Sequence, residues 1–237
     1  MRQSNSYIIL YAAILTIVCG GLLALAAEGL KEKQLANVAL EQRENILATV
    51  MEIKDGDDVN ALYNENVQEY VVDYDGNKIG SADPAKINLT AEWKKPARER
   101  QLPVYEFRNS TDSTKVDYVV LPVYGYGLWN EIWGFVSLQS DFNTVQGVKF
   151  EHKGETPGLG ARITESEVQA RFKGKSIFDQ EVIASIQMMK GEGNDYSSQP
   201  HKVDGMSGAT LTGKGVNNML LDYLKCYENY LKKNRTK

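Results

Sequence analysis

The residues best suited to chemistry in this chain lie in the run Asp204-Gly205-Met206-Ser207-Gly208-Ala209-Thr210. Small residues fill it from Gly205 to Ala209, apart from Met206. Gly208 permits backbone angles that other residues resist, and Ala209 adds only a methyl group. The Thr210 hydroxyl is therefore offered from a backbone with little bulk around it. Downstream lies Gly213-Lys214-Gly215 and then a helical pattern. A phosphate-bearing group on Thr210 would meet few side chains and sit near a helix N-terminus, whose free N–H groups favour anions. The bland alternative is a tight turn of small residues ahead of a helix.

Two more stretches have suitable residue types. Gly125-Tyr126-Gly127-Leu128-Trp129 precedes a strand pattern, and Glu155-Thr156-Pro157-Gly158-Leu159-Gly160 follows one. Their glycines allow close backbone approach to a flat ligand, and Trp129 offers a stacking face. Taken singly, each reads as a loop with glycine turns. Gly205-Met206-Ser207-Gly208-Ala209 also approaches the G-x-S-x-G elbow of serine hydrolases, with Ala in place of the final Gly. That chemistry needs a histidine after the serine; His152 and His201 both precede Ser207 and read as ordinary polar residues.

The elements that must position these stretches follow from periodicity. The run 7–27 is uncharged and strongly apolar, and about 20 such residues span a bilayer as a helix. A signal peptide, whose apolar region is usually about 7–15 residues, fits the length less well, although Leu25-Ala26-Ala27 has the small residues a signal peptidase accepts. Positive charge gives no orientation, because Arg2 and the amino terminus balance Lys31 and Lys33. From Leu30 to Ile53, Leu35, Val38, Ile46 and Val50 recur at helical spacing, which predicts a stalk helix. Asp55-Gly56-Asp57-Asp58 ends it.

Strands are predicted at 69–73 and 78–79, around a Tyr74-Asp75-Gly76-Asn77 turn, and at 104–108, 116–123, 131–138 and 144–151, rich in Val, Tyr, Phe and Trp. The polar stretch 81–100 reads as loop with a short helix. Thr164-Glu165-Ser166-Glu167 forms a capping-box pattern with Thr164 as N-cap, and 182–189 reads as a further strand. Val216, Met219, Leu220, Leu224, Tyr227 and Leu231 mark one face of a closing helix. The Asn88-Leu89-Thr90 and Asn109-Ser110-Thr111 glycosylation patterns are set aside as common chance matches.

The whole reads as α+β: a transmembrane anchor over 1–29, a stalk helix over 30–54, and one mixed domain over 55–237 with an antiparallel-type sheet and packed helices. A net charge of −4 without a basic patch excludes nucleic acid as the partner. The cysteines, Cys19 and Cys226, form no C-x-x-C pair, so the chain has no zinc or iron–sulfur framework of its own.

The run ending at Thr210 resembles the signature read by the flavin transferase that esterifies FMN onto proteins: Asp, two variable residues, Ser or Thr, Gly, Ala, then Ser or Thr. Asp204, Ser207, Gly208, Ala209 and Thr210 occupy its required places. Trp129-Asn130-Glu131-Ile132-Trp133-Gly134-Phe135, Asn143-Thr144-Val145 and the run from Glu155 to Gly160 resemble an FMN-carrying subunit of the bacterial Na+-translocating NADH:quinone reductase, over residues 123–220. The flavinylated subunit of the Rnf ferredoxin:NAD oxidoreductase is a nearby relative sharing the threonine and the Glu-Thr-Pro-Gly-Leu-Gly run.

The resemblance implies an FMN joined covalently by its phosphate to Thr210, on the outer side of the cytoplasmic membrane, relaying electrons between other subunits of a complex. It implies a flavin transferase as maturation partner and lipid around residues 7–27. Trp129 and Leu159 are then expected to flank the ring, with the backbone of Thr156 to Gly160 along its edge. Glu155 is expected to brace its loop, and Lys214 to neutralise the phosphoester or stay solvated. No G-x-G-x-x-G run follows a strand, so NADH binding is not expected here, and the chain is not catalytic alone. A reading from another class, a membrane-anchored assembly protein without redox chemistry, would leave Thr210 unmodified.

Overall fold

The computed structural model describes residues 4–108 and 115–235. The Asn109-Ser110-Thr111 pattern and Arg2 lie outside them. Two compact units are present, Met1–Gln42 and Arg43–Lys237.

The predicted anchor and stalk form one helix, α1 (Asn5–Ala48). It is long and apolar enough to cross a membrane, and its apolar side chains are exposed, Ile17 by 73% and Leu25 by 74%. A helix exposing that much apolar surface needs a lipid or protein environment. The helix stops at Ala48, short of the expected Ile53. Its last turn is fixed by burial: Ile46 and Leu47 are fully buried in the second unit, and Val50 N–H closes the turn onto the Leu47 carbonyl at 2.9 Å.

Asp58 then caps α2 (Val59–Asn66), accepting from the N–H groups of Asn60 and Ala61. This helix was not read from the sequence, because eight residues carry little periodicity. An antiparallel meander follows in sequence order: β1 (Val67–Val72), β2 (Leu102–Arg108), β3 (Val116–Tyr126), β4 (Glu131–Gln139) and β5 (Val145–His152). The expected turn at 74–77 is present, with Gly76 at φ +77° and Val72 bridged to Lys78. Asn88 serves as N-cap of α3 (Leu89–Trp93), a short helix within the stretch 81–100 as expected.

Side-chain alternation sorts the sheet's residues into two cores. Leu102, Val104, Val119, Leu121 and Val123 face the larger one. Tyr105, Phe107, Val120 and Phe135 face the smaller one, with Ile46, Leu47 and Tyr63. Both faces are therefore covered, which is why the strands read as nearly continuous apolar runs.

After β5 come α4 (Ser166–Ala170) and four two-residue strands, β6 (Phe178–Asp179), β7 (Val182–Ile183), β8 (Gln187–Met188) and β9 (Lys202–Val203). Two expectations are corrected here. The capping box does not form: Thr164 ends a 3-10 turn (Gly160–Thr164) and its hydroxyl donates back to the Ala161 carbonyl, while Glu167 pairs with Arg171. The predicted strand 182–189 is broken at Ser185, whose φ of +61° turns the chain between β7 and β8.

The closing helix is α5 (Thr210–Cys226) followed by α6 (Glu228–Arg235). Every residue of its predicted face is buried. α5 begins at Thr210 itself, so Gly213 and Gly215 lie inside its first turns. A Cβ on Gly215 would strike the Tyr126 carbonyl oxygen, and one on Gly125 would lie 2.9 Å from Met219 Cβ. These glycines let α5 lie directly on β3.

Candidate functional site

That close packing brings three chain segments to one end of the sheet: the turn from β3 into β4, the loop after β5, and the start of α5. Together they enclose a cleft lined by Leu128, Trp129, Glu155, Thr156, Leu159 and Gly160 on one side and by Gly208 to Thr212 on the other. Among the described residues of the second unit, the exposed large apolar side chains are Tyr126, Leu128, Trp129, Leu159, Val182 and Leu211. All but Tyr126 and Val182 line this cleft. Trp129 is the most open of them, 69% exposed, so it is not a core residue. Apolar surface gathered around a concavity is the signature of a ligand site.

Thr210 is the first residue of α5 and is half-buried at the cleft. The preceding Ala209 makes no side-chain cap. The first-turn N–H groups of a helix have no intrahelical acceptor, so an anion beside Thr210 would meet both open donors and the positive end of the helix dipole. The turn before it is set by Gly208, at φ +75°, with Ala209 N–H bonded to the Met206 carbonyl at 3.2 Å. A Cβ there would also press to 2.8 Å from Leu159 Cδ2. Met206, the bulky exception in the run, is buried and fixes the turn to the core.

Glu155 is the hub of the cleft floor and is only 4% exposed. Its Oε2 accepts from the Thr212 hydroxyl at 2.6 Å, and its Oε1 accepts from the N–H of Trp129 at 2.9 Å. One carboxylate thus ties all three segments together. The glycines on either side make room for it: a Cβ on Gly127 would lie 2.5 Å from Glu155 Oε1, and one on Gly160 would clash with Thr212 Oγ1 and Glu155 Oε2. Gly160→Ala is therefore expected to destabilise the domain by about 1–3 kcal/mol through overpacking. A denaturation midpoint equal to that of the unmodified chain would contradict this account of the floor.

Of the residues singled out from sequence, Trp129, Glu155, Thr156, Leu159, Gly160, Gly208, Ala209 and Thr210 meet at the cleft. Asp204, Ser207 and Lys214 do not line it. Lys214 is exposed on the second turn of α5. Asp204 Oδ2 accepts from Gly193 N–H at 2.6 Å, and its Oδ1 accepts from Asn194 Nδ2 at 3.2 Å. The Ser207 backbone N–H donates to Glu192 Oε2 at 3.0 Å. His201 Nδ1 lies 2.7 Å from the Ser176 carbonyl, and among the described residues no histidine bonds Ser207.

Leu128 lay in a stretch singled out from sequence but was given no role there; sequence reasoning missed Leu211 and Thr212 in the cleft, and the ion network around Glu192. Arg162 reaches Glu192 with both terminal nitrogens, at 2.9 and 2.8 Å, and Arg171 Nη2 adds a bond at 2.9 Å. The Arg162 fork, then the Ser207 N–H and Arg171, hold the Glu192 carboxyl far below the usual carboxylate range. The only sequence signal available was the Thr212 hydroxyl, two places beyond Thr210; ion pairs between distant loops leave no pattern.

The FMN-binding domain family matches residues 127–225, from the β3–β4 turn to the end of α5. The chain is 36% identical over 223 residues to a Na(+)-translocating NADH-quinone reductase subunit of Vibrio parahaemolyticus, covering 85% of this chain and 84% of that one. Its identity to the same subunit of Pseudomonas aeruginosa is 34% over 238 residues, covering 92% and 91%. The fold is similar to the crystal structure of the corresponding subunit from Parabacteroides distasonis, with a TM-score of 0.74, 31% identity, and coverage of 85% and 96%.

Proposed function

The chain belongs to this family of Na+-translocating NADH-quinone reductase subunits, and from that membership we propose that Thr210 carries FMN as a phosphoester and that the cleft beside it holds the flavin ring. The protein is the FMN-binding electron-transfer subunit of that complex. The observation that supports the attachment site is the convergence of exposed Trp129, Leu128, Leu159 and Leu211 on an uncapped helix start whose first residue is a threonine.

FMN supplies reversible electron transfer when bound, and the protein supplies orientation and electrostatics. The apolar walls would exclude water from the ring, with Trp129 and Leu159 as its faces. The backbone at Thr156 to Gly160 would meet its polar edge. The α5 N-terminus would stabilise the phosphodiester charge, with Lys214 adding a solvated cation one turn on. Glu155 takes no electron and holds the floor in register. Forming the ester needs an activated phosphoryl group. A flavin dinucleotide provides it: threonine Oγ bonds to the flavin-side phosphorus, the anhydride P–O bond breaks, AMP leaves, and the hydroxyl proton passes to the flavin transferase.

In this reading α1 crosses the cytoplasmic membrane once, with its N-terminus in the cytoplasm and the domain outside, among the other subunits and lipid. Attachment and topology can be tested together. Intact spheroplasts are treated with protease, and the proteins are denatured, separated and viewed for flavin fluorescence. The expected result is a fluorescent full-length band that vanishes with external protease. No fluorescence after denaturation would sink the covalent attachment; a band protected until lysis would reverse the orientation.

A further inference from the structure

Asp204 and Glu192 form a two-way exchange of hydrogen bonds. Glu192, in the loop after β8, accepts the N–H of Ser207 in the attachment run at 3.0 Å. Asp204, in the attachment run, accepts the N–H of Gly193 in that loop at 2.6 Å and Asn194 Nδ2 at 3.2 Å. The two backbones also touch: a Cβ on Gly205 would strike the Met189 carbonyl oxygen. Arg171 bridges the pair, donating to the Gly205 carbonyl and, at 2.9 Å, to Glu192. Arg162 grips Glu192 from the 3-10 turn that begins at Gly160, on the opposite wall of the cleft.

We propose that Glu192 and Asp204 are positioning residues that lock the run ahead of Thr210 in the geometry its modification requires, so that the aspartate of the attachment run works inside this chain and is not the feature the modifying enzyme reads. The proposal rests on Thr210 being the flavin attachment residue. Three things carry it. The Asp204 side chain is only 15% exposed, and both its oxygens are engaged. Ser207, held by Glu192, is separated from Thr210 only by Gly208 and Ala209 in a hydrogen-bonded turn, so a shift at Ser207 reaches the hydroxyl. Arg162 couples that turn to the wall bearing Leu159, which keeps the two sides of the cleft in one arrangement.

The test uses the full chain in detergent with purified flavin transferase and flavin dinucleotide. Initial rates of covalent fluorescence are measured for the unmodified chain, Glu192→Gln, Asp204→Asn and the double variant. Hydrogen exchange is followed at the Ser207 and Gly193 amides. Each single variant is expected to lower kcat/KM by about tenfold or more, the scale of one charge-assisted hydrogen bond. Each should deprotect both amides while the global melting curve stays in place. The double variant should fall little further than the worse single one, because both act on one clamp. If a variant shifts the melt, Arg162→Lys gives a milder change that replaces a fork with a point donor, and a smaller fall in the same direction is expected. A normal rate in Glu192→Gln and Arg162→Lys, or multiplying effects of Glu192→Gln and Asp204→Asn, overturns the proposal. An unmodified chain that takes no flavin on Thr210 defeats the attachment reading instead.

Discussion

Thr210→Val abolishes flavin attachment and leaves the fold unchanged: this is the expected result with the largest chemical effect. Valine keeps the branched shape of threonine and removes only the oxygen that the phosphoester needs. The position is the first of α5, half-buried at the cleft rim, where such a change costs about 0.5 kcal/mol or less. That is a shift in Tm of about 2 °C in a domain of this size. Thr210→Ser keeps the oxygen and should keep part of the flavin. The neighbouring hydroxyls are poor substitutes. Thr212 is 2% exposed and its hydroxyl donates to Glu155. Ser207 lies inside the Met206–Ala209 turn, exposed and outside the cleft lining. The measurement is fluorescence of the denatured chain, with the intact mass. A fluorescent band in Thr210→Val would move attachment to one of those two residues and sink the assignment.

What could be read from the sequence divides along physical lines. The four long strands were legible because a sheet covered on both faces demands apolar residues along its whole length, and Val119 to Val123 supply them. The face of α5 and α6 was legible for the same reason at helical spacing. The cleft was legible through glycines, since Gly127 makes room for Glu155 and Gly160 for both Glu155 and Thr212. Elements decided by competition between neighbours were not. Thr164 matches an N-cap, but the 3-10 turn from Gly160 claims it first. The run 182–189 is apolar enough for one strand, but Ser185 turns it into two short ones. Glu192 stands fifteen residues from the Ser207 it holds, a contact that only the folded loops create.

The stalk boundary has a practical consequence. A chain beginning at Leu30 is expected to fold, melt cooperatively and accept flavin, whereas one beginning at Asp55, the boundary read from sequence, is expected to lose its stable fold. Residues 43–54 belong to the compact second unit. Ile46 and Leu47 are fully buried there, against Tyr105, Val120 and Phe135, with Val50, Met51 and Ile53 packed beside them. The Ser137 hydroxyl, itself buried, donates to the Thr49 carbonyl at 2.8 Å. Gly147 has no side chain because that carbonyl occupies the space. Loss of a buried Ile or Leu side chain costs about 2–5 kcal/mol, and whole domains are stable by only about 5–15 kcal/mol. Removing both therefore consumes most of the margin, before counting the lost Ser137–Thr49 hydrogen bond and the bared aromatic face of the sheet. In thermal melts the shorter chain should aggregate or melt at least about 10 °C lower. A transition within a few degrees of the longer chain would show that α1 lends nothing to the domain. The longer chain should still fail to restore quinone reduction to a complex lacking this protein, since tethering is what keeps its flavin at high effective concentration near its partners. Full activity from the detached domain would instead make it a diffusible carrier.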